Sequence, residues 1–414
     1  MDYFLLGKSL SHSYSPEIHR ALGGYEYGLM NLNEEELPTF LQGGGFKGLN
    51  VTIPYKQAVI PYLAELTAAA RRIGAVNTIV RREDGSLLGD NTDLYGMGEM
   101  LRRKGLSLRG KKVAIFGSGG TARTARVLCE EEGAREILAV SRSGPLDYAA
   151  LQEGHGDLEA ILNTTPAGMY PGNLVRLVDL RRFSRLSAVA DAIYNPGRTL
   201  LMQDAEALGI PCASGLPMLV LQARRSAERF LGCAVPEERV AATLRSLARG
   251  KANLVLVGMP GSGKSLLGAL LAARLGKAFL DMDALIEQEA GMPIPAIFAR
   301  QGEGFFRGLE SRLIQENAKE QNLVLATGGG AVLRQQNREA LRQNAAVVFI
   351  QRDLALLATE GRPLSAGGPE GLRAMEAERG PLYAEAADFR VKNEGAPESV
   401  ARRIEEGFYA FFGD

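Results

Sequence analysis

The chain has 414 residues, too many for one ordinary core, so two or three domains are expected. Its 48 Lys and Arg balance its 48 Asp and Glu, which leaves nothing to draw it toward nucleic acid or an anionic membrane and makes small-molecule chemistry the expectation. Three scattered cysteines (Cys129, Cys212, Cys233) without C-x-x-C spacing argue against a disulfide framework or a zinc site, and no apolar run nears the roughly 20 residues of a membrane span, so a reducing, cytoplasmic setting is expected.

Before Lys111, short aliphatic segments (FLLG, GLNVTI, AVNTIV) alternate with helical ones, an α/β pattern. Lys111–Gly133 (KKVAIFGSGGTARTARVLCEEEG) then reads as strand, tight turn and helix, with Gly133 as the C-terminal cap. Gly117, Gly119 and Ala122 fit G-x-G-x-x-[G/A], whose glycines allow a tight turn and close backbone approach to a pyrophosphate at a helix N-terminus. Ser118, Gly120 and Thr121 complete that cofactor-binding turn. The next strand ends in Ser141, Arg142 and Ser143, where an NAD site would carry an acidic residue. A guanidinium there suits a 2′-phosphate, so NADP(H) is the expected cofactor.

Pro236–Lys251 reads as a terminal helix running into a Gly-Lys break, which places a boundary near Gly250. Ala252–Gly276 repeats the strand, turn and helix, with Gly276 as cap, and its GMPGSGKS (Gly258 to Ser265) is a complete G-x-x-x-x-G-K-[ST] loop. Backbone amides at Gly261, Ser262 and Gly263 would cradle the phosphates of ATP, Lys264 would reach the β- and γ-phosphates, and Ser265 would help hold Mg²⁺, with Leu266 completing the nucleotide set.

Separated segments, in order, resemble shikimate dehydrogenases: GKSLSHSYSPEIH, GLNVTIPYK, GAVNTI, GDNTDLYG and, beyond the dinucleotide unit, NTTPAGM with DAIYNP and GLPMLVLQ. The resemblance implies that Ser13 and Ser15 bind a carboxylate, that Asn50, Thr52, Asn77 and Gln222 meet ring hydroxyls, and that Lys56 and Asp93 form a catalytic pair. Tyr194 is implied near the substrate, and Met218 and Leu219 beside the nicotinamide. His12 and His19 flank the serines without pairing and are expected to pack or bond locally, while Arg20 stands where the family usually carries Asn.

Residues 252–414 resemble shikimate kinases. FLDMD contributes Asp281, near the metal through water, and Asp283, which meets the attacking hydroxyl. GEGFFRGLE contributes Arg307 and Glu310, ATGGG the turn Gly328, Gly329 and Gly330, GRPL a lid with Arg362, and ERGPLYAEAA Arg379. Arg307 and Arg379 are implied to clamp the substrate carboxylate, with Glu310 fixing Arg307.

The implied architecture is an α/β substrate-binding domain over 1–100, completed by about 215–248, a Rossmann NADP-binding domain over 101–214, and a P-loop, NMP-kinase-like parallel-sheet domain over 252–414. The implied partners are 3-dehydroshikimate, shikimate and ATP. Two other readings stay open on sequence alone: a metabolite-binding regulator that has lost catalysis, and quinate use at the first site. A regulator would lack some of Lys56, Asp93, Lys264, Asp283 and Arg379, and all five are present.

Overall fold

The computed structural model describes residues 1–10, 13–357 and 368–413, so the expectations for His12 and Arg362 lie outside the described residues. It forms two compact units, Met1–Leu244 and Arg245–Asp414.

The first unit opens with β1 (Tyr3–Gly7), α1 (Ser15–Gly23), β2 (Tyr27–Asn31), α2 (Leu37–Gly43), β3 (Gly48–Val51), β4 (Glu65–Leu66), α3 (Ala68–Ile73), β5 (Thr78–Arg81) and β6 (Leu87–Asp90). These strands make one mixed sheet in the order β2-β1-β3-β5-β6-β4, with β5 antiparallel to both β3 and β6. Then α4 (Thr92–Arg103) leads to β7 (Lys112–Phe116), α5 (Gly120–Glu131), β8 (Glu136–Val140), α6 (Tyr148–Gly154), β9 (Ala160–Asn163), β10 (Ala188–Asp191), α7 (Leu200–Ala207) and β11 (Cys212–Ala213). Here the sheet is wholly parallel, ordered β11-β10-β9-β7-β8, and β7 is buried along its length because helices cover both faces of such a sheet. The chain returns through α8 (Gly215–Leu231), which packs on α4 so closely that a Cβ on Gly96 would stand 2.7 Å from the Met218 carbonyl oxygen and 2.9 Å from Gln222 Cβ. That contact holds the helix carrying Asp93 against the helix carrying Gln222.

Next comes α9 (Glu237–Lys251), which ends at the Gly-Lys pair just before β12, as the sequence led us to expect. The division between the two compact units falls somewhat earlier, within the helix after Leu244. Val240 and Leu247 are both buried and keep the helix wound through that point.

The second unit contains β12 (Asn253–Val257), α10 (Lys264–Leu275), β13 (Ala278–Asp281), α11 (Met282–Ala290), α12 (Ile294–Ala318, broken at Gly302), β14 (Leu323–Ala326), α13 (Gln335–Arg342), β15 (Ala345–Gln351), α14 (Gly368–Ala386), β16 (Phe389–Lys392) and α15 (Pro397–Phe411). Its parallel sheet runs β13-β14-β12-β15-β16. Alternation divides each central strand between two cores: Val255, Val257, Val347 and Phe349 face one, and Leu254, Leu256, Val348 and Ile350 the other. With both faces covered, the C-terminal strand ends and the loops leaving them are where a ligand can enter.

Candidate active sites

In the first unit, the turn after β3 carries Lys56 and the first turn of α4 carries Asp93. The backbone N–H of Val76 donates to the Lys56 carbonyl (2.7 Å), which fixes the turn, and Lys56 Nζ donates to Asp93 Oδ2 at 2.6 Å. Asn77 Nδ2 donates to the other carboxylate oxygen (2.9 Å), and Asn77 Oδ1 accepts the Thr92 backbone N–H (2.7 Å). The carboxylate is therefore held at both oxygens. The ammonium has a single protein acceptor among the described residues, which leaves donors for a ligand.

Behind this pair lies a buried hydroxyl network that no local spacing reveals. Ser226 Oγ, from α8, lies 2.9 Å from Thr78 Oγ1 and 3.1 Å from Thr92 Oγ1, and accepts from Asn50 Nδ2 at 2.8 Å. Asn50 is buried, with its oxygen accepting from the Tyr27 hydroxyl (2.8 Å). Its amide is thus engaged by protein partners beneath the site. Thr52 is half-buried, and Gln222 Oε1 accepts from Thr92 Oγ1 at 3.4 Å.

The start of α1 supplies Ser13 and Ser15, joined by a 3.1 Å hydrogen bond between their hydroxyls. Between them Tyr14 packs on Tyr194 (ring centroids 5.3 Å apart), bringing the DAIYNP segment to the serines. That segment is tied down by Asp191, which accepts from Ile193 N (3.0 Å), Asn163 Nδ2 (3.0 Å) and Thr199 Oγ1 (2.7 Å), while burial pushes its carboxyl up to about 6. His19 is buried in α1, stacked on Tyr27 (4.0 Å) and bonded through Nδ1 to Tyr25 OH (2.6 Å), the local packing the sequence led us to expect; Arg20 is exposed.

The dinucleotide turn opens α5. A Cβ on Gly117 (φ 113°) would stand 2.8 Å from Thr164 Oγ1, whereas around Gly119 and Gly120 nothing lies within 4 Å of that position. Glycine thus serves close packing at the first position and leaves open space for a pyrophosphate at the other two, so the turn fits the cofactor. Ser118, Thr121 and Ala122 line the same turn, and Ala122 packs in one core cluster with Met218 of α8. Ser141, Arg142 and Ser143 follow β8, with Arg142 exposed.

In the second unit, the loop between β12 and α10 takes positive φ at Gly258 (150°), Gly261 (79°) and Gly263 (95°), conformations that disfavour a side chain. Lys264 Nζ donates to the carbonyls of Gly258 (2.9 Å) and Met259 (3.0 Å). From the far end of the unit, Asn393 Nδ2 donates to the Ser262 carbonyl at 2.7 Å and pins the loop. The loop borders a cavity of about 550 Å³ that also gathers Ser265, Leu266, Asp281, Asp283, Arg307 and Arg379.

Each glycine of the Gly328–Gly330 turn has its own neighbour. A Cβ on Gly328 would meet Asp283 Oδ1 at 2.5 Å, on Gly329 Pro260 Cδ at 2.6 Å, and on Gly330 Arg307 Nη1 at 2.2 Å. Tyr383 OH donates to the Gly329 carbonyl, and burial holds its phenol up at about 12. Arg307 Nη1 donates to Glu310 Oε2 (2.7 Å), and burial raises the Glu310 carboxyl despite that guanidinium. Arg307 Nη2 and, on α14, Arg379 Nε and Nη1 are buried with no hydrogen-bond partner. Buried unpaired guanidinium donors around one cavity call for an anion. Asp281 Oδ1 accepts the N–H groups of Asp283 and Ala284, which caps α11 and aims Asp283 at the cavity.

Fold and sites together define a Rossmann-type oxidoreductase half joined to a P-loop phosphotransferase half. A family model for the shikimate dehydrogenase substrate binding domain matches residues 5–79, and one for shikimate kinase matches residues 260–408. The NADP(+) shikimate dehydrogenase of Clostridium perfringens is 36% identical over 251 residues, covering 56% of this chain and 92% of that protein. Among solved structures, a chorismate mutase/shikimate 5-dehydrogenase fusion protein from Clostridium acetobutylicum matches at 34% identity and TM-score 0.57, over 59% of this chain and 96% of that one. Shikimate 5-dehydrogenase from Thermus thermophilus, in complex with NADP(H) and shikimate, matches at 28% identity and TM-score 0.53, over 59% and 98%. The chain belongs to the shikimate dehydrogenase family and carries a shikimate kinase domain C-terminal to that region.

Proposed function

We propose that the two halves act in sequence on one ring. The first reduces the ring carbonyl of 3-dehydroshikimate, giving shikimate; the second transfers the γ-phosphoryl group of ATP to the hydroxyl just formed, giving shikimate 3-phosphate. The chain is a bifunctional shikimate-pathway enzyme. The observation that carries this reading is the Lys56–Asp93 pair at 2.6 Å in one half, together with buried, unpaired Arg307 and Arg379 donors around the phosphate loop's cavity in the other.

Gly117 to Ala122 would hold NADPH, with Arg142 for its 2′-phosphate and Met218 on the nicotinamide side, and the cofactor would supply the hydride. As the carbonyl oxygen gains negative charge, the Lys56 ammonium stabilises it and gives up a proton, leaving the hydroxyl. Asp93, braced by Asn77, keeps Nζ aimed at that oxygen and accepts from a neighbouring substrate hydroxyl. Ser13 and Ser15 meet the carboxylate, and Tyr194 closes that side.

In the kinase half, Arg307 and Arg379 hold the shikimate carboxylate, so the ring hydroxyl lies toward Asp283. That hydroxyl oxygen bonds to the γ-phosphorus as the bond to ADP breaks, and Asp283 accepts its proton late. Lys264 leaves its loop carbonyls for the phosphate oxygens. Ser265 and Asp281, the latter through water, would hold the Mg²⁺ that accompanies ATP.

The test supplies 3-dehydroshikimate with NADPH to the purified protein, then Mg·ATP, and follows cofactor oxidation and the phosphorylated product by mass spectrometry. Absence of both steps would overturn the reading. A bound but unreduced ligand would favour a regulator instead.

A further inference from the structure

Arg352 belongs to no motif, yet it stands at the phosphate loop. It follows the last residue of β15, the strand paired with the loop's own β12. Asn393 N–H donates to the Gln351 carbonyl (2.7 Å), and Asp353 caps the next turn by accepting from Ala355 N (2.9 Å), so the backbone on either side of Arg352 is fixed. Its Nη1 lies 3.6 Å from where a Cβ on Gly263 would stand, and Gly263 is the residue from which α10 starts. It lines the same cavity as Lys264, Ser265 and Asp283.

The charge balance around that cavity sets Arg352 apart. Arg307 is paired with Glu310 at 2.7 Å, Lys264 is held by two carbonyls, and Arg379 has Glu378 at 3.6 Å. Of the acids, Glu287 Oε1 is occupied by the Ile294 N–H (2.8 Å) and Asp281 by its helix cap. Arg352 has no ion pair or hydrogen bond among the described residues, and its Nε is shut away from solvent without a partner. A guanidinium fixed in this way, half-buried and uncompensated, is costly unless an anion arrives. Its position tells which anion. Arg307 meets Gly330 of the three-glycine turn, whereas Arg352 meets Gly263 of the loop that faces the nucleotide phosphates.

We infer that Arg352 is a further catalytic residue of the kinase half, a guanidinium supplied from the end of β15 that binds the polyphosphate of ATP alongside Lys264. The inference rests on the kinase reading above and adds a residue to it. Phosphoryl transfer is chiefly positioning and charge stabilisation, so a fixed fork of donors acts both in binding the nucleotide and as charge shifts toward ADP.

The test uses the full chain with Arg352→Ala and Arg352→Lys. Mg·ADP affinity is measured by calorimetry without shikimate, KM and kcat are measured for both kinase substrates, and thermal unfolding reports the fold. Arg352→Ala should weaken Mg·ADP and raise the KM for ATP by about 10- to 100-fold, with the KM for shikimate unchanged within about twofold. Arg352→Lys, which keeps the charge without the fork and spares the fold if alanine does not, should recover part of the loss. Mg·ADP affinity within twofold of the parent in a folded variant, or a defect confined to shikimate, overturns the inference. Because Mg·ADP binding needs no turnover, a parent protein that binds ADP but leaves shikimate untouched would refute the substrate reading and still test Arg352.

Discussion

At the scale of single residues, the two sites depend on charges whose partners the fold fixes in advance. Lys56 is oriented by Asp93, which is oriented by Asn77, so removing the ammonium removes the proposed proton donor while its brace remains. Lys56→Ala should cut the reduction rate by about 10²- to 10⁴-fold and leave shikimate phosphorylation intact; equal losses in both assays would reject the assignment. His19 bears on stability. Burial pushes its imidazole from 6.5 down to about 3, so between those values the unfolded chain binds a proton that the folded chain refuses. The stability this gives is complete above pH 6.5 and drains away as pH falls toward 3. The urea midpoint of the dehydrogenase half, followed by circular dichroism, should therefore drop between about pH 7 and pH 5. His19→Gln should lower the midpoint at neutral pH through loss of the aromatic stack and flatten that pH slope. An equally steep slope in the variant would assign the acid sensitivity elsewhere.

At the scale of elements, what the sequence disclosed and what it hid divide along a physical line. The loops at Gly117 and Gly258, the Gly328–Gly330 turn and the buried aliphatic strands before them are local: a positive φ or a close contact demands glycine at a fixed spacing, and that demand is legible as a motif. The Ser226 hydroxyl network, the Asn393 clamp and the Tyr383 bond to Gly329 join residues 148, 131 and 54 positions apart, through side chains common in any surface or core. No local spacing encodes them. Likewise the division after Leu244 falls inside α9 where no helix breaker stands, whereas the Gly-Lys pair marks only the helix's end. The three-glycine turn permits a sharp test of the legible kind. Gly330 has φ −98°, which alanine can adopt, so Gly330→Ala isolates the steric contact 2.2 Å from Arg307 Nη1. Arg307 must shift off Glu310, and the KM for shikimate should rise about tenfold or more while Mg·ADP binding holds. A variant impaired in ADP binding alone would detach Arg307 from the carboxylate.

At the scale of the whole molecule, each unit carries its own glycine-rich loop, its own proposed anion-binding side chains and its own buried core, and no residue of one motif set is drawn from the other. The two activities should therefore be separable, but the structure changes where the chain can be cut. A kinase fragment beginning at Lys251, as the apparent Gly-Lys break suggests, would discard Arg249. Its guanidinium lies over the Tyr409 ring at 5.1 Å, and its carbonyl accepts one of three hydrogen bonds from Lys277 Nζ. Lys277 sits over Phe408, and burial already pushes its ammonium down to about 8, so losing an acceptor there leaves a poorly solvated cation less well satisfied. Leu247, buried in the intact chain, would go too. A fragment beginning at Arg245 keeps all of these. Both fragments should phosphorylate shikimate, since none of these residues lines the cavity, but the one beginning at Lys251 should unfold at a lower urea concentration, by about 1–3 kcal/mol. The complementary fragment ending at Leu244 should retain reduction of 3-dehydroshikimate, because Val240 and the Arg239 bond to the Leu22 carbonyl remain with it. Equal urea midpoints for the two kinase fragments would show that the last turn of α9 contributes nothing to the second unit, and inactive fragments on both sides would show that the halves require each other.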